Sequence, residues 1–196
     1  MVFCLFILGE SPGFCFWKIE ALRFTIYHDR RVAVAQGQVV ITGEDLTIFA
    51  SRARYEMETK RLWLSGPVKI LTPHGDWLKG RAAFMDLRSG EGWVDGALLF
   101  IRKNKVRVRA QRLERISEDR YVAYQAVITT CEIDCQKVPP WSFRARKVVI
   151  SEGYARAHWV SFWVKNLPLA ASPYLTLSAK RRRKSGFFFP RVVTGS

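Results

Sequence analysis

The sequence predicts an all-β protein assembled from one repeated unit, and three observations support this. Small residues recur at a near-constant interval, apolar and polar residues alternate beside them, and turn-forming clusters separate the runs. Gly37, Gly66 and Gly96 are spaced by 29 and 30 residues. A second series, Ala21, Ala50, Gly80 and Ala110, is spaced by 29, 30 and 30 residues. Self-similarity with a period of about 20–50 residues marks stacked or repeated architectures.

Each glycine opens an alternating stretch with apolar residues at its second and fourth following positions: Val39 and Ile41, Val68 and Ile70, Leu98 and Phe100. Each member of the second series closes one. Ile19, Ile48, Leu78 and Val108 lie two residues before it, and Trp17, Leu46 and Val106 lie four before, with Asp76 the exception. Residues two apart share one face of a strand. Several alternate positions are polar, including Thr47, Lys69, Lys79, Arg107 and Arg109, so one face is apolar and the other wet. Each unit therefore reads as two short strands, one opening at the glycine and one ending at the second small residue.

Turn clusters fall between them at residues 42–45, 72–76, 88–92 and 103–104. Regular strands with turn clusters between them indicate a sandwich, barrel or solenoid. Residues 121–128 repeat the first strand, with Gln125 in the glycine slot. Residues 141–150 repeat the second, with Ala145 in the small slot 35 residues after Ala110. The extra length falls in residues 129–140, which hold two cysteines and a Pro-Pro pair. Small residues suit places where strands bend or pack closely. The pattern alone leaves two uses for the apolar face: a closed core, or a groove open to an apolar ligand or a partner strand.

The chain length suits one domain, or one domain plus a fragment, and a hydrophobic content of 48% is ample for a core. The net charge of +15 and isoelectric point near 10.2 imply an acidic partner, whether nucleic acid, an anionic membrane surface or an anionic glycolipid. Residues 2–8 form an apolar run too short to span a bilayer. Residues 1–15 are expected to be the remnant of a signal peptide whose start is clipped, the alternative being a buried first strand.

Catalytic chemistry is not legible. His28, His74 and His158 stand in no nucleophile motif, and the sequence has no G-x-S-x-G, H-E-x-x-H, Walker or G-x-G-x-x-G pattern. No enzyme activity and no cofactor are expected. Cys131 and Cys135 could form half a zinc site, but no second pair at ligand spacing follows, so no metal is expected. Disulfide bonding or free thiols remain as their uses. Residues 102–115 carry seven basic residues against one acid, Glu114. Their readings are a solvated strand face or a phosphate contact. The run Lys180-Arg181-Arg182-Arg183-Lys184 is strongly basic, yet no recognition helix, zinc finger or RNA-binding signature accompanies it. A nucleic-acid partner is therefore not expected, and a basic nucleic-acid-binding β module stands as a minor alternative.

An ordered series of residues carries a family resemblance. It comprises Trp141-Ser142-Phe143-Arg144-Ala145-Arg146, Gly153-Tyr154-Ala155, Pro168, Ser172-Pro173-Tyr174-Leu175, Arg182-Arg183-Lys184-Ser185-Gly186-Phe187 and Pro190. This series resembles the LptD family (OstA, Imp) of outer-membrane lipopolysaccharide assembly proteins. The repeat, opening at Trp17-Lys18-Ile19-Glu20-Ala21, resembles the OstA-like domain that the family shares with LptA and LptC. Together they cover nearly everything from Trp17 to Ser196.

The resemblance implies a V-shaped β-jellyroll over residues 16–150. It implies that residues 151–196 are the connection to, and first strand of, a transmembrane β-barrel, with that strand near residues 185–194 and the rest of the barrel lying beyond this chain. It implies lipopolysaccharide transport and assembly on the periplasmic side of the cell outer membrane. An LptA-like bridge would join by strand addition, and an LptE-like lipoprotein would plug the full-length barrel. A free-standing LptA/LptC-like bridge protein is the alternative. The acyl chains would ride on an inner face assigned, by position in the repeat, to Val39, Ile41, Ile48, Val68, Ile70, Leu78, Leu98, Phe100, Val108 and Phe143. Cys131 matches the family cysteine that pairs with one near the end of the barrel. Here that partner is missing, and Cys135 stands as an alternative. Ser178 departs from the family pattern, which carries proline there.

Overall fold

The computed structural model describes residues 5–6, 17–117, 119–131, 138–151 and 154–178. These form a single antiparallel sheet. Its strands are β1 (Leu5–Phe6), β2 (Lys18–Glu20), β3 (Arg23–Tyr27), β4 (Val32–Thr42), β5 (Thr47–Glu56), β6 (Arg61–Leu71), β7 (Trp77–Asp86), β8 (Gly92–Ile101), β9 (Val106–Ser117), β10 (Arg120–Thr129), β11 (Trp141–Ser151), β12 (Tyr154–Val164) and β13 (Leu167–Ser178). From β4 to β13 every strand pairs with its sequence neighbours, an uninterrupted meander. β2 and β3 both pair with β4, one along each half of its length.

The all-β expectation holds, but the strands are about twice as long as the repeat suggests. Gly37, Ala50, Gly66, Gly80, Gly96 and Ala110 lie inside strands, where the sequence reading places strand ends. The chain bends at these positions without leaving the sheet. Left-handed backbone recurs at each bend of alternate strands: Gly37 (φ 74°) and Gln38 (49°) on β4, Gly66 (87°) on β6, Gly96 (61°) on β8, Gln125 (50°) on β10 and Trp159 (52°) on β12. Gln125 thus occupies the glycine slot, and Trp159 is a further member that the spacing did not reveal.

Bulges form part of the bend line. On β4 the register runs Gln36↔Arg52 and then Val39↔Ala50, so β4 carries one extra residue. β6 does the same, with Ser65↔Ala82 and then Val68↔Gly80. An extra residue of this kind bends a strand and increases its twist. From the β8–β9 pair onward the register crosses the bend unshifted, as in Asp95↔Arg112 and Ala97↔Ala110. Gly66 shows why the slot favours glycine. Besides its positive φ, an added Cβ would stand 2.5 Å from Ser51 Oγ and 2.6 Å from Ser51 Cβ on the neighbouring strand.

The bend line divides the sheet into two walls. One holds residues 39–42, 47–50, 68–71, 77–80, 97–101 and 106–110 and continues through 126–129 and 141–145. The other holds residues 32–36, 52–56, 61–65, 82–86, 92–95 and 112–117 and continues through 120–124 and 147–151. A single open sheet cannot bury a face by itself. Yet residues of both walls, among them Ile48, Leu78, Leu64 and Val94, are buried in one continuous core. The sheet is therefore folded along the bend line, with the walls' inner faces against each other. β12 and β13 continue the sheet past the expected boundary at residue 150. The expected signal remnant, apart from β1, and the expected barrel strand at 185–194 lie outside the described residues.

The β7–β8 turn is pinned by Asp86. Its Oδ1 accepts the backbone N–H groups of Arg88 (3.0 Å) and Ser89 (3.3 Å), and its Oδ2 accepts Arg61 Nε (3.2 Å). Burial pushes this carboxyl up, but those donors outweigh it and hold it below the usual carboxylate range. A depressed folded pKa gives stability that is present above the unfolded value, about 3.9, and is lost as pH falls through the folded one. Asp86→Asn is expected to flatten the acid limb of the stability–pH curve, read as urea midpoints across that range. Gly66→Ala is expected to destabilise the fold by about 1–3 kcal/mol, from left-handed strain and the Ser51 overlap. Equilibrium urea unfolding checks it.

Candidate functional site

The inner faces are built from continuous rows of register partners. One row runs Ile41–Ile48–Ile70–Leu78–Leu99–Val108–Ile128–Phe143–Phe162, each residue opposite the next on the adjoining strand. Nearer the bend lie Val39, Ala50, Val68, Gly80, Ala97, Ala110, Ala126, Ala145 and Val160, most of them small. The facing wall has a matching row, Ala35–Ala53–Leu64–Ala83–Val94–Leu113–Ala123–Val148–Ala157. Alternation along each strand and pairing across strands leave three unbroken apolar stripes perpendicular to the strands.

Of the ten residues assigned to the inner face, the structure places eight there: Val39, Ile41, Ile48, Val68, Ile70, Leu78, Val108 and Phe143. Leu98 and Phe100 are corrected. Leu98 pairs with Lys79 and Arg109, and Phe100 with Trp77 and Arg107, all on the outward face. The reason is the bend of β8. On β4 and β6 the extra residue separates the flanking inner residues by four positions (Ala35 to Val39, Leu64 to Val68). On β8 that residue is missing, so Val94 is followed inward by Ala97 and Leu99.

The sequence reading also missed the facing wall. Its signal is the alternation before each glycine, Ala33 and Ala35 or Leu62 and Leu64, which falls outside a strand that starts at the glycine.

The margin of the facing wall is mixed. Its row runs Tyr55–Leu62–Met85–Gly92–Arg115–Tyr121–Ile150. Arg115 is only 5% exposed. Its Nε donates to Ser117 O at 3.3 Å, and its guanidinium lies over the Tyr121 ring at 6.0 Å. Burial pushes the Tyr55 phenol up, partly offset by the charge of Arg88.

Packing loosens along the stripes. Ile48 is fully buried and Leu78 is 1% exposed, whereas Phe143 and Ile150, also inward, are 39% and 43% exposed. Phe143 packs on Phe162 with centroids 4.9 Å apart. At the bend of β12 and β13 a cavity of about 330 Å³ is lined by Trp159, Val160, Ser161, Ala171, Ser172 and Pro173. The walls are thus closed over β4–β8 and splay at β11–β13. Cys131 is a half-buried free thiol whose backbone N–H donates to Thr129 Oγ1 at 3.1 Å. Cys135 and the Lys180–Lys184 run lie outside the described residues.

The two faces should respond differently to truncation. Ile48→Ala is expected to cost about 2–5 kcal/mol, the range for emptying a packed site. Leu98→Ala should cost under about 1 kcal/mol, as a half-exposed outward position. Paired urea titrations measure both, and equal costs would contradict the register.

No family model matches the chain. Among curated proteins, it is 30% identical over 168 residues to LPS-assembly protein LptD of Chromohalobacter salexigens, covering 85% of this chain and 20% of that one. It is 29% identical over 190 residues to the protein of the same name from Pseudomonas fluorescens, covering 96% and 19%. It is 28% identical over 163 residues to that of Albidiferax ferrireducens, covering 80% and 20%. The chain spans about a fifth of the length of these relatives. Among solved structures, the Pseudomonas aeruginosa LptH, described as an LptA-homologous periplasmic component of the lipopolysaccharide transport device, is 12% identical. That overlap covers 86% of this chain and 95% of that chain at a TM-score of 0.28, too low to bear on the fold.

Proposed function

We propose that this chain, a homologue of a one-fifth segment of the LPS-assembly proteins LptD, carries the acyl chains of lipopolysaccharide between its two inner walls. It acts as a carrier on the periplasmic side of the outer membrane, not as a catalyst. The observation that carries this reading is the unbroken apolar stripe from β4 to β12, whose packing is tight at one end and open at the other.

The energetics support a conduit. An acyl chain in water exposes apolar surface worth about 0.8 kcal/mol per CH₂. Over β4–β8 the walls already bury one another, so admitting a chain exchanges wall–wall contact for wall–lipid contact at little net exposure. On β11 the inward residues farther from the bend, Phe143 and Ile150, are exposed, and a chain arriving there covers surface that is otherwise wet. Occupancy is therefore favoured toward β11–β13, the end at which the resemblance places the barrel. Arg115 and the two tyrosines form the polar margin over which a headgroup would project.

The partners follow from the same reading. A meander leaves an edge at each end of the sheet, and an LptA-like bridge would extend it by strand addition at the β1–β2 end. An LptE-like lipoprotein belongs to the barrel of the full-length relatives.

A photoreactive phenylalanine analogue at Ile70 or Leu99 is expected to crosslink lipopolysaccharide, detected on immunoblots. The same analogue at Leu98 should not. Capture at Leu98 alone would move the acyl path to the outward face and overturn the proposal.

A further inference from the structure

The outward faces of the two walls differ in charge. On the wall that contains Ile48 and Leu78, the outward row runs Phe49–Lys69–Lys79–Leu98–Arg109–Val127–Arg144. A neighbouring row carries Trp77, Phe100 and Arg107. Among the described residues, no outward strand position of this wall from β4 to β13 is Asp or Glu, and on β2 Glu20 pairs with Lys18 (2.5 Å). Several of this wall's cations lie over aromatic rings, Lys69 over Phe49 at 6.0 Å, Lys79 over Trp77 at 5.0 Å and Arg144 over Trp163 at 4.1 Å, a contact that the other wall also makes, as at Arg112 over Trp93 (4.4 Å). The other wall is less one-sided: its outward strand positions include Glu56, Asp86, Asp95 and Glu114 among more numerous cations. There Arg112 pairs with Asp95 (3.3 Å) and Glu114 (2.6 Å), and Arg61 with Asp86 (3.2 Å).

We propose that the unbalanced outward face rests on an anionic phospholipid bilayer. Lipid phosphates would supply counter-charge to Lys69, Lys79, Arg109 and Arg144, and polybasic surfaces bind anionic leaflets for that reason. Trp77, Phe100 and Trp163 are half-buried beside the cations and Phe49 is exposed, the arrangement favoured where one end of a side chain meets headgroups and the other meets acyl chains. A nucleic-acid duplex would satisfy the charges but offers no apolar layer for Phe49, Leu71, Trp77, Leu98 and Phe100. The face is the reverse of the one that contacts acyl chains, so this inference stands or falls separately from the carrier reading.

The test is flotation of the full chain with phosphatidylcholine vesicles, with and without phosphatidylglycerol. Binding is expected only with the anionic lipid and should weaken as salt is raised. Lys69→Gln/Lys79→Gln/Arg109→Gln should reduce partitioning on the order of a hundredfold, at about fivefold per cation. The matched variant Arg52→Gln/Arg54→Gln/Arg156→Gln removes the same charge from the other wall and should bind nearly as well as the parent. Trp77→Ala should weaken binding while far-ultraviolet circular dichroism stays unchanged. Equal losses in the two triple variants, binding that ignores phosphatidylglycerol, or tighter binding to duplex DNA than to the vesicles would each overturn the proposal.

Discussion

The structure depends on a line of bends running across the sheet. Without it, β4 to β13 would form a flat meander with one apolar face in water, and neither wall could be buried. The line is made by two series of small residues with different physical causes. On alternate strands the backbone must turn left-handed, which glycine does at no steric cost and an L-residue does at about 1–2 kcal/mol. Gln125 and Trp159 accept that cost at the same place in their strands. On the strands between, the backbone is ordinary and the limit is space. An added Cβ on Gly80 would stand 2.3 Å from Val94 Cγ1 on the facing wall. Ala50, Ala110 and Ala145 are small because the walls converge at the apex of the fold.

That convergence sets a size gradient across the wall that contains Ile48 and Leu78. Small residues line the apex and Ile, Leu and Phe stand one row farther out, where the walls are farther apart. The cross-section is a wedge filled with side chains. The three apolar rows nearest the bend can part and reclose without leaving a polar group of their own unpaired, because dispersion and hydrophobic burial are non-directional. Hydrogen bonding runs along the ladder within the sheet, so separating the walls leaves the ladder intact. The fold keeps its directional interactions within the sheet and its non-directional ones between the walls.

Much of this was legible in the sequence, and the exceptions have physical reasons. The period, the all-β class and eight of the ten inner residues follow from spacing by two around each small residue. Strand length did not follow, because a glycine inside a strand and a glycine at its start read alike until the register is known. Leu98 and Phe100 were misplaced by one missing residue at the β8 bend, since a single residue inverts which side chains face inward. Trp159 was invisible in the spacing because a large aromatic ring carries no small-residue signal, and only its φ of 52° reveals the slot. The family series was legible, but the described residues end at Ser178, before its last part.

The shift at β8 also bears on how the two faces share the chain. A strand that alternates strictly offers half its side chains to each face, so a change of phase at the bend redistributes apolar residues between them. On β8 the change sends Ala97 and Leu99 inward and Leu98 and Phe100 outward. The wedge there is lined by a smaller pair than Val68 and Ile70 provide on β6, while the outer surface gains two large apolar groups. Those groups do not stand alone: Phe100 lies between Trp77 and Arg107, and Leu98 lies between Lys79 and Arg109. One residue fewer at a bend thus changes the inner lining to a smaller pair and builds an amphipathic outer patch, so the two faces of this wall are coupled through the backbone phase of a single strand.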